Sequence, residues 1–256
     1  MTPWHLVLDG RCPPSETMKR DLSLFSSVLH GAIPKALRIY NWDGPAITIG
    51  HHQKGFAPRD PNLSLPILRR PTGGGAVLHH DDLTFSISAR EEGPFSGGIT
   101  GACAHVSSIF ARAFRACGLQ AEMRGGSAAF SEVCFMRSSP VELCVGGEKA
   151  LGLAMLRRKG HFLVQGVVPL RVDPKLSARA FGRSPEASGL CDRFPGLRPG
   201  NLVDALLEAF SAEGDLVSHE CGGDDRQEHQ QNEGEIDVRR EDPRDHRLAQ
   251  ERVDRD

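Results

Sequence analysis

The chain has 256 residues, 39% of them hydrophobic, with 31 Lys and Arg against 33 Asp and Glu. That length supports one substantial core and a tail rather than two full domains, and a formal net charge of -2 argues against a surface made chiefly to grip nucleic acid. No apolar run is long enough to span a bilayer and no basic-then-apolar leader is present, which predicts a soluble, cytoplasmic protein with no membrane partner; the seven cysteines include no C-x-x-C pair, so they read as free thiols in a reducing compartment.

Taken in order, Trp4 to Leu8 reads as a strand ended by Asp9-Gly10. Met18, Leu22, Phe25 and Leu29 then recur at helical spacing, with Ser15 placed to cap. Ala36 to Trp42 and Ala46 to Ile49 are predicted to pair as a hairpin across Asp43-Gly44-Pro45. Leu63, Leu65 and Ile67 alternate, and so do Leu83, Phe85 and Ile87 against Thr84, Ser86 and Ser88. Two half-buried strands are therefore expected on either side of a glycine run. Thr100 should cap a helix whose stripe is Cys103, Val106, Phe110, Ala113, Phe114 and Cys117, stopped by Gly118. Val141, Leu143 and Val145, a turn at Gly146-Gly147, a return through Ala150 to Met155 and a turn at Lys159-Gly160 predict a meander. Asn201 should cap a third helix, with Leu202, Val203, Leu206, Leu207 and Phe210. From His219 the composition turns to Asp, Glu, Arg and Gln, too polar to offset the entropy of ordering. The predicted division is a domain over 1–218 and a charged, disordered tail over 219–256.

The glycine run belongs to Arg69-Arg70-Pro71-Thr72-Gly73-Gly74-Gly75-Ala76-Val77-Leu78-His79. Glycines without a Cβ let a ligand approach backbone N–H groups. The run lacks the Gly-Lys-Ser/Thr ending of a phosphate loop and the G-x-G-x-x-G spacing of a dinucleotide loop. His51-His52 and His79-His80-Asp81-Asp82 invite a metal reading, but the first pair has no nearby third ligand and in the second consecutive strand residues point to opposite faces and cannot all converge, so no metal is assigned. The second of these reads as a polar turn.

The arginine-glycine stretch resembles the signature of the lipoate/octanoate attachment family, which includes lipoate-protein ligases and cysteine-dependent octanoyltransferases related in fold to biotin protein ligases. Ile49-Gly50-His51-His52-Gln53 resembles that family's G-x-x-Q element. Cys134-Phe135, Glu142-Leu143 and Gly147-Glu148-Lys149-Ala150-Leu151-Gly152 resemble a third segment, so the likeness runs from about Trp4 to about Phe210. It implies an α/β (α+β) fold of the class II aminoacyl-tRNA synthetase/biotin ligase type, with a mixed, largely antiparallel sheet flanked by helices. It also implies transfer of an octanoyl or lipoyl group to the lysine of a lipoyl carrier domain, such as the glycine cleavage H protein or a 2-oxoacid dehydrogenase E2.

On that resemblance Cys134 takes the acyl group from acyl carrier protein as a thioester and Lys149 holds the acyl carbonyl. Arg70, Gly73, Gly74, Gly75, Ala76, Val77, His79, Gly147 and Gly152 contact acyl group or substrate. This route needs no cofactor. The alternative is a ligase using ATP and Mg2+, in which Gly73 to Gly75 and Lys149 hold an acyl-adenylate and Cys134 is incidental. Two departures keep a third reading open, a non-catalytic acyl- or carrier-binding homologue. Gly152-Leu153-Ala154-Met155 stands where the family typically has Gly-Ser-Ala-Gln, and Val164-Gln165-Gly166 where Gln-His-Gly is common, so both are expected to remove polar groups near the site.

Overall fold

A computed structural model describes residues 2–124, 142–182 and 188–218. Cys134 and the segment from His219 onward, both singled out above, lie outside the described residues. Strands β1 (Trp4–Cys12), β2 (Ala36–Trp42), β6 (Asp81–Arg90), β10 (Gly152–Arg158), β11 (His161–Arg171) and β12 (Leu216–Ser218) form one sheet in the order β10-β11-β6-β2-β1-β12. The first four are antiparallel neighbours, while β2–β1 and β1–β12 are parallel. The sheet is thus mixed and largely antiparallel.

Strand alternation sorts its two faces. Leu83, Phe85, Ile87 and Ala89 join Leu37, Ile39, Phe162 and Val164 on one face, in the main core with helices α2 (Gly98–Ala116) and α5 (Pro199–Ser211). The opposite face carries Arg38, Tyr40, Thr84, Ser86 and Ser88, and these too are buried. Helix α1 (Pro14–Leu29) lies over them. The expectation of a half-buried strand is therefore corrected for β6: its polar face is enclosed because α1 brings Asp21 as a hydrogen-bond acceptor.

Several boundaries also differ. β1 continues through Asp9-Gly10, because its pairing steps from Leu8↔Ile39 to Gly10↔Tyr40 and leaves Asp9 as the extra residue of a bulge. The bulge turns the Asp9 carboxylate onto Arg38 and Arg20. α1 has Pro13 at its cap with no side-chain bond, and Ser15 does not cap. Its buried residues are Thr17, Asp21, Phe25 and Val28, so of the predicted stripe only Phe25 is fully inside.

β2 and β3 (Ala46–Ile49) form no hairpin, since both edges of β2 are occupied by β1 and β6. Instead β3 is the centre of a small sheet, parallel to β4 (Ile67–Arg69) and antiparallel to β5 (Val77–His79). The run expected through Leu63 and Leu65 is strand only from Ile67.

α2 starts at Gly98 after Gly97, not at Thr100, and Cys103 and Cys117 are only partly buried. Gly118 ends it with φ +78° and N–H bonds from Gly118 to Arg115 O and from Leu119 to Phe114 O. The predicted meander divides between two sheets. β8 (Glu142–Val145) pairs with β7 (Ala121–Arg124) and with β9 (Glu148–Lys149) through the Gly146-Gly147 turn. The chain then crosses at Ala150 to β10, and β10–β11 close through Lys159-Gly160 as expected. α5 begins at Pro199 after Arg198, rather than at an Asn201 cap. Helices α3 (Pro174–Phe181) and α4 (Leu190–Arg193) and the edge strand β12 were not anticipated.

Candidate functional site: an arginine-strapped glycine loop beside an apolar crevice

The two consecutive arginines diverge, as neighbours at the end of a strand must. Arg69 donates through one nitrogen to the carbonyls of Gly50 (2.9 Å), His51 (2.8 Å) and Gln53 (2.7 Å). Arg70, 5% exposed, donates to Gly73 O (3.1 and 2.6 Å), Gly75 O (2.7 Å) and both Thr48 O (3.3 Å) and Thr48 Oγ1 (3.2 Å). His51 N–H reaches Thr72 O at 2.9 Å. Each arginine thus straps one loop, and the loops lie against each other.

Glycine is required here by contact more than by torsion. Within the run only Gly74 has positive φ (+93°), but a Cβ on Gly50 would run into the backbone carbonyl of Gly74. Gly50→Ala should therefore displace the loop and lower stability by about 1–3 kcal/mol. Thermal melting together with hydrogen exchange over residues 69–77 would check it; unchanged exchange would mean that the contact is not tight.

Beside the loop lies a narrow crevice that opens to solvent. Its wall is overwhelmingly apolar. Tyr40, Trp42, Val77 and His79 form one side, and Gly152 to Ala154 with Gln165 to Val167 the other. Of the residues expected from sequence, Arg70, Val77, His79 and Gly152 come together as lining. Gly73 and Gly75 join through Arg70, whereas Ala76 is buried beneath, in a second core cluster with Ile47 and Ile49.

Gly147 does not line the crevice. It makes the β8–β9 turn with φ +89° and its carbonyl accepts from Arg124 (3.4 Å). Lys149 Nζ lies 3.1 Å from Glu142 Oε1, with side chains 13% and 15% exposed. Cys144 stands opposite Lys149 in the register; burial, then the Glu142 charge, push its thiol pKa up. Cys144 is therefore a poor nucleophile.

Sequence reasoning missed a buried polar network behind the crevice. Asp21 Oδ1 accepts from Arg38 (2.6 Å) and Ser86 (2.7 Å), and Oδ2 from Gln165 Nε2 (2.6 Å). Gln165 Oε1 accepts from Thr72 Oγ1 (2.8 Å), so the network reaches the glycine loop. His79 and Asp82, read above as part of a polar turn, are buried and bonded at 2.8 Å between Nδ1 and Oδ2. The available signal was alternation itself: Arg38 and Tyr40 faced the same side of β2 as Thr84 and Ser86 of β6. At the departures noted above, Gln165 places a polar group in the crevice wall, and the apolar Leu153 lines the crevice and, with Met155, packs against the main core.

A six-stranded mixed sheet flanked by helices, with a strapped glycine loop beside an apolar crevice, is an α/β domain with a candidate ligand site, and residues 13–196 match the family model of the lipoyl protein ligase A/B catalytic domain. The chain belongs to that family. Among its relatives, the octanoyltransferase LipM of Symbiobacterium thermophilum is 33% identical over 220 residues, covering 80% of this chain and 79% of that protein. The octanoyltransferase LipM of Lysinibacillus sphaericus is 34% identical over 202 residues, covering 73% and 72%. Similar solved structures include a lipoate-protein ligase A bound with ATP (TM-score 0.66, 21% identity, 90% of this chain and 92% of that one). Another is a putative lipoate protein ligase of T. acidophilum with bound lipoic acid (TM-score 0.67, 21% identity, 90% and 92%). At that identity the structures speak to the fold alone.

Proposed function

We propose that this chain moves an octanoyl group from the thioester of an acyl carrier protein to the lysine of a lipoyl carrier domain. The observation that carries the reading is the apolar crevice between the strapped glycine loop and Gly152, in a chain one-third identical to octanoyltransferases over four-fifths of its length. Arg70 reaches the crevice wall with its guanidinium engaged by loop carbonyls, so the recess suits an alkyl chain rather than an anion. The resemblance of the segment around Cys134 supports that residue as the nucleophile.

In this mechanism the Cys134 thiolate attacks the thioester carbonyl, a new C–S bond forms, and the carrier sulfur leaves and takes up a proton. The neutral amine of the acceptor lysine then attacks the enzyme thioester. An amide forms, the C–S bond breaks and the cysteine thiol is restored. Lys149 stabilises the oxyanion in both steps. No nucleotide is consumed, because the donor is already activated.

The test is intact-mass analysis of the protein and an apo lipoyl domain mixed with octanoyl-acyl carrier protein without nucleotide. An octanoyl adduct on both proteins is expected for the wild type, and none with Cys134→Ser. Acylation that appears only with lipoate and ATP, and equally in the variant, would refute the cysteine route and establish the ligase. Octanoyl binding without transfer under either condition would establish a non-catalytic homologue.

A further inference from the structure

Two chains of hydrogen bonds end on the carboxylate of Asp82. In the first, Trp42 Nε1 donates to Thr84 Oγ1 (2.9 Å) and Thr84 Oγ1 donates to Asp82 Oδ1 (2.8 Å). In the second, the proton positions follow from the chemistry of the ends. A guanidinium only donates, so Thr48 Oγ1 accepts from Arg70 (3.2 Å). A carboxylate only accepts, so the His79 proton sits on Nδ1, 2.8 Å from Asp82 Oδ2. With the ring neutral, His79 Nε2 is the acceptor, and the Thr48 hydroxyl donates to it over 3.0 Å. Every donor points the same way, from Arg70 to Asp82.

The chain runs along the crevice wall. Thr48, Arg70 and His79 all line it, and His79 stacks on Trp42 with centroids 4.3 Å apart. Arg70 also holds the carbonyls of Gly73 and Gly75. Thr48, His79 and Asp82 are at most 5% exposed, where aligned hydrogen bonds strengthen one another and an unmade one is costly.

We propose that Asp82, His79 and Thr48 are positioning residues whose relay couples filling of the crevice to placement of the glycine loop through Arg70. A full-length acyl chain sets the loop for reaction and a short one does not, so that binding energy from the unreactive end of the substrate is used at the reacting carbonyl. The inference rests on the reading above that the crevice takes the acyl chain.

Hydrogen exchange over residues 70–77 tests it, in the wild type, Thr48→Val and Thr48→Ser, with octanoate or butanoate at equal occupancy. In the wild type octanoate should slow exchange at least about fivefold more than butanoate, the lower end of site-to-site coupling. Thr48→Val should still bind octanoate but lose that difference, and Thr48→Ser should restore it. Full chain-length dependence in Thr48→Val would overturn the coupling alone, whereas no octanoate binding by the wild type would overturn the crevice reading with it. A second measurement needs no variant: the ring nitrogen resonances of His79 should place a proton on Nδ1 and none on Nε2, and a proton on Nε2 would overturn the relay.

Discussion

Asp21→Ala should lower folding stability by about 3–5 kcal/mol, a fall of roughly 6–20 °C in melting temperature for a domain of this size. Arg38 is fully buried and is held by Asp21 at 2.6 Å, Asp9 at 2.7 Å and Thr17 O at 2.9 Å. Asp9 also serves Arg20 at 3.0 Å. Without Asp21, one carboxylate faces two guanidiniums, one of them cut off from water. Ser86 and Gln165 lose their acceptor at the same time. Asp21→Asn keeps the shape but not the chemistry, because an amide oxygen given to Arg38 turns the amide NH2 toward the donor Nε2 of Gln165.

Chemical denaturation of Asp21→Leu, Arg38→Met and the pair Asp21→Leu/Arg38→Met separates burial of the ions from their pairing. The single changes should each be severe. The double change should be much milder than their sum, since apolar residues of similar volume need no partner. An Asp21→Ala variant within about 1 kcal/mol of wild type, the range of an exposed pair, would mean that water reaches Arg38.

The apolar half of this architecture was legible in the sequence and the polar half was not. Leu83, Phe85 and Ile87 announce a strand with one greasy face, and Phe110, Ala113 and Phe114 announce the helix that covers it. Thr84, Ser86 and Ser88 look the same on paper whether they meet solvent or the carboxylate of a helix. Which occurs depends on where α1 lies, a tertiary fact. Likewise Ala46 to Ile49 after a Gly-Pro turn carries every mark of a hairpin partner, yet pairing is decided by which edge of β2 is vacant.

The site was legible wherever chemistry forces a rare residue. Gly50 and Gly74 must touch, and paired arginines must be doing something with their donors. Here they hold backbone carbonyls. The His79–Asp82 contact was hidden for the opposite reason, because a histidine and an aspartate three residues apart across a strand junction have no periodic signature.

Lys149→Met should lower the rate of acyl transfer by about 10²–10³-fold, the usual cost of removing one oxyanion donor. The lysine is held 3.1 Å from Glu142 on adjoining strands of a hairpin, so it is in place before substrate arrives. That pairing bears on the experiment, since a methionine removes the 3.1 Å ion pair as well as the oxyanion contact. Glu142→Gln removes the same ion pair and keeps the lysine. It should therefore share the loss of stability and keep more of the rate. Rapid quench with octanoyl-acyl carrier protein would resolve the two chemical steps. Both formation of the enzyme thioester and its aminolysis should slow, because each passes through an oxyanion on the same carbonyl. If Lys149→Met transferred within about threefold of wild type, well short of an oxyanion donor's contribution, the lysine would be a structural partner of Glu142 alone. If only the second step slowed, it would act on the acceptor amine rather than on the carbonyl.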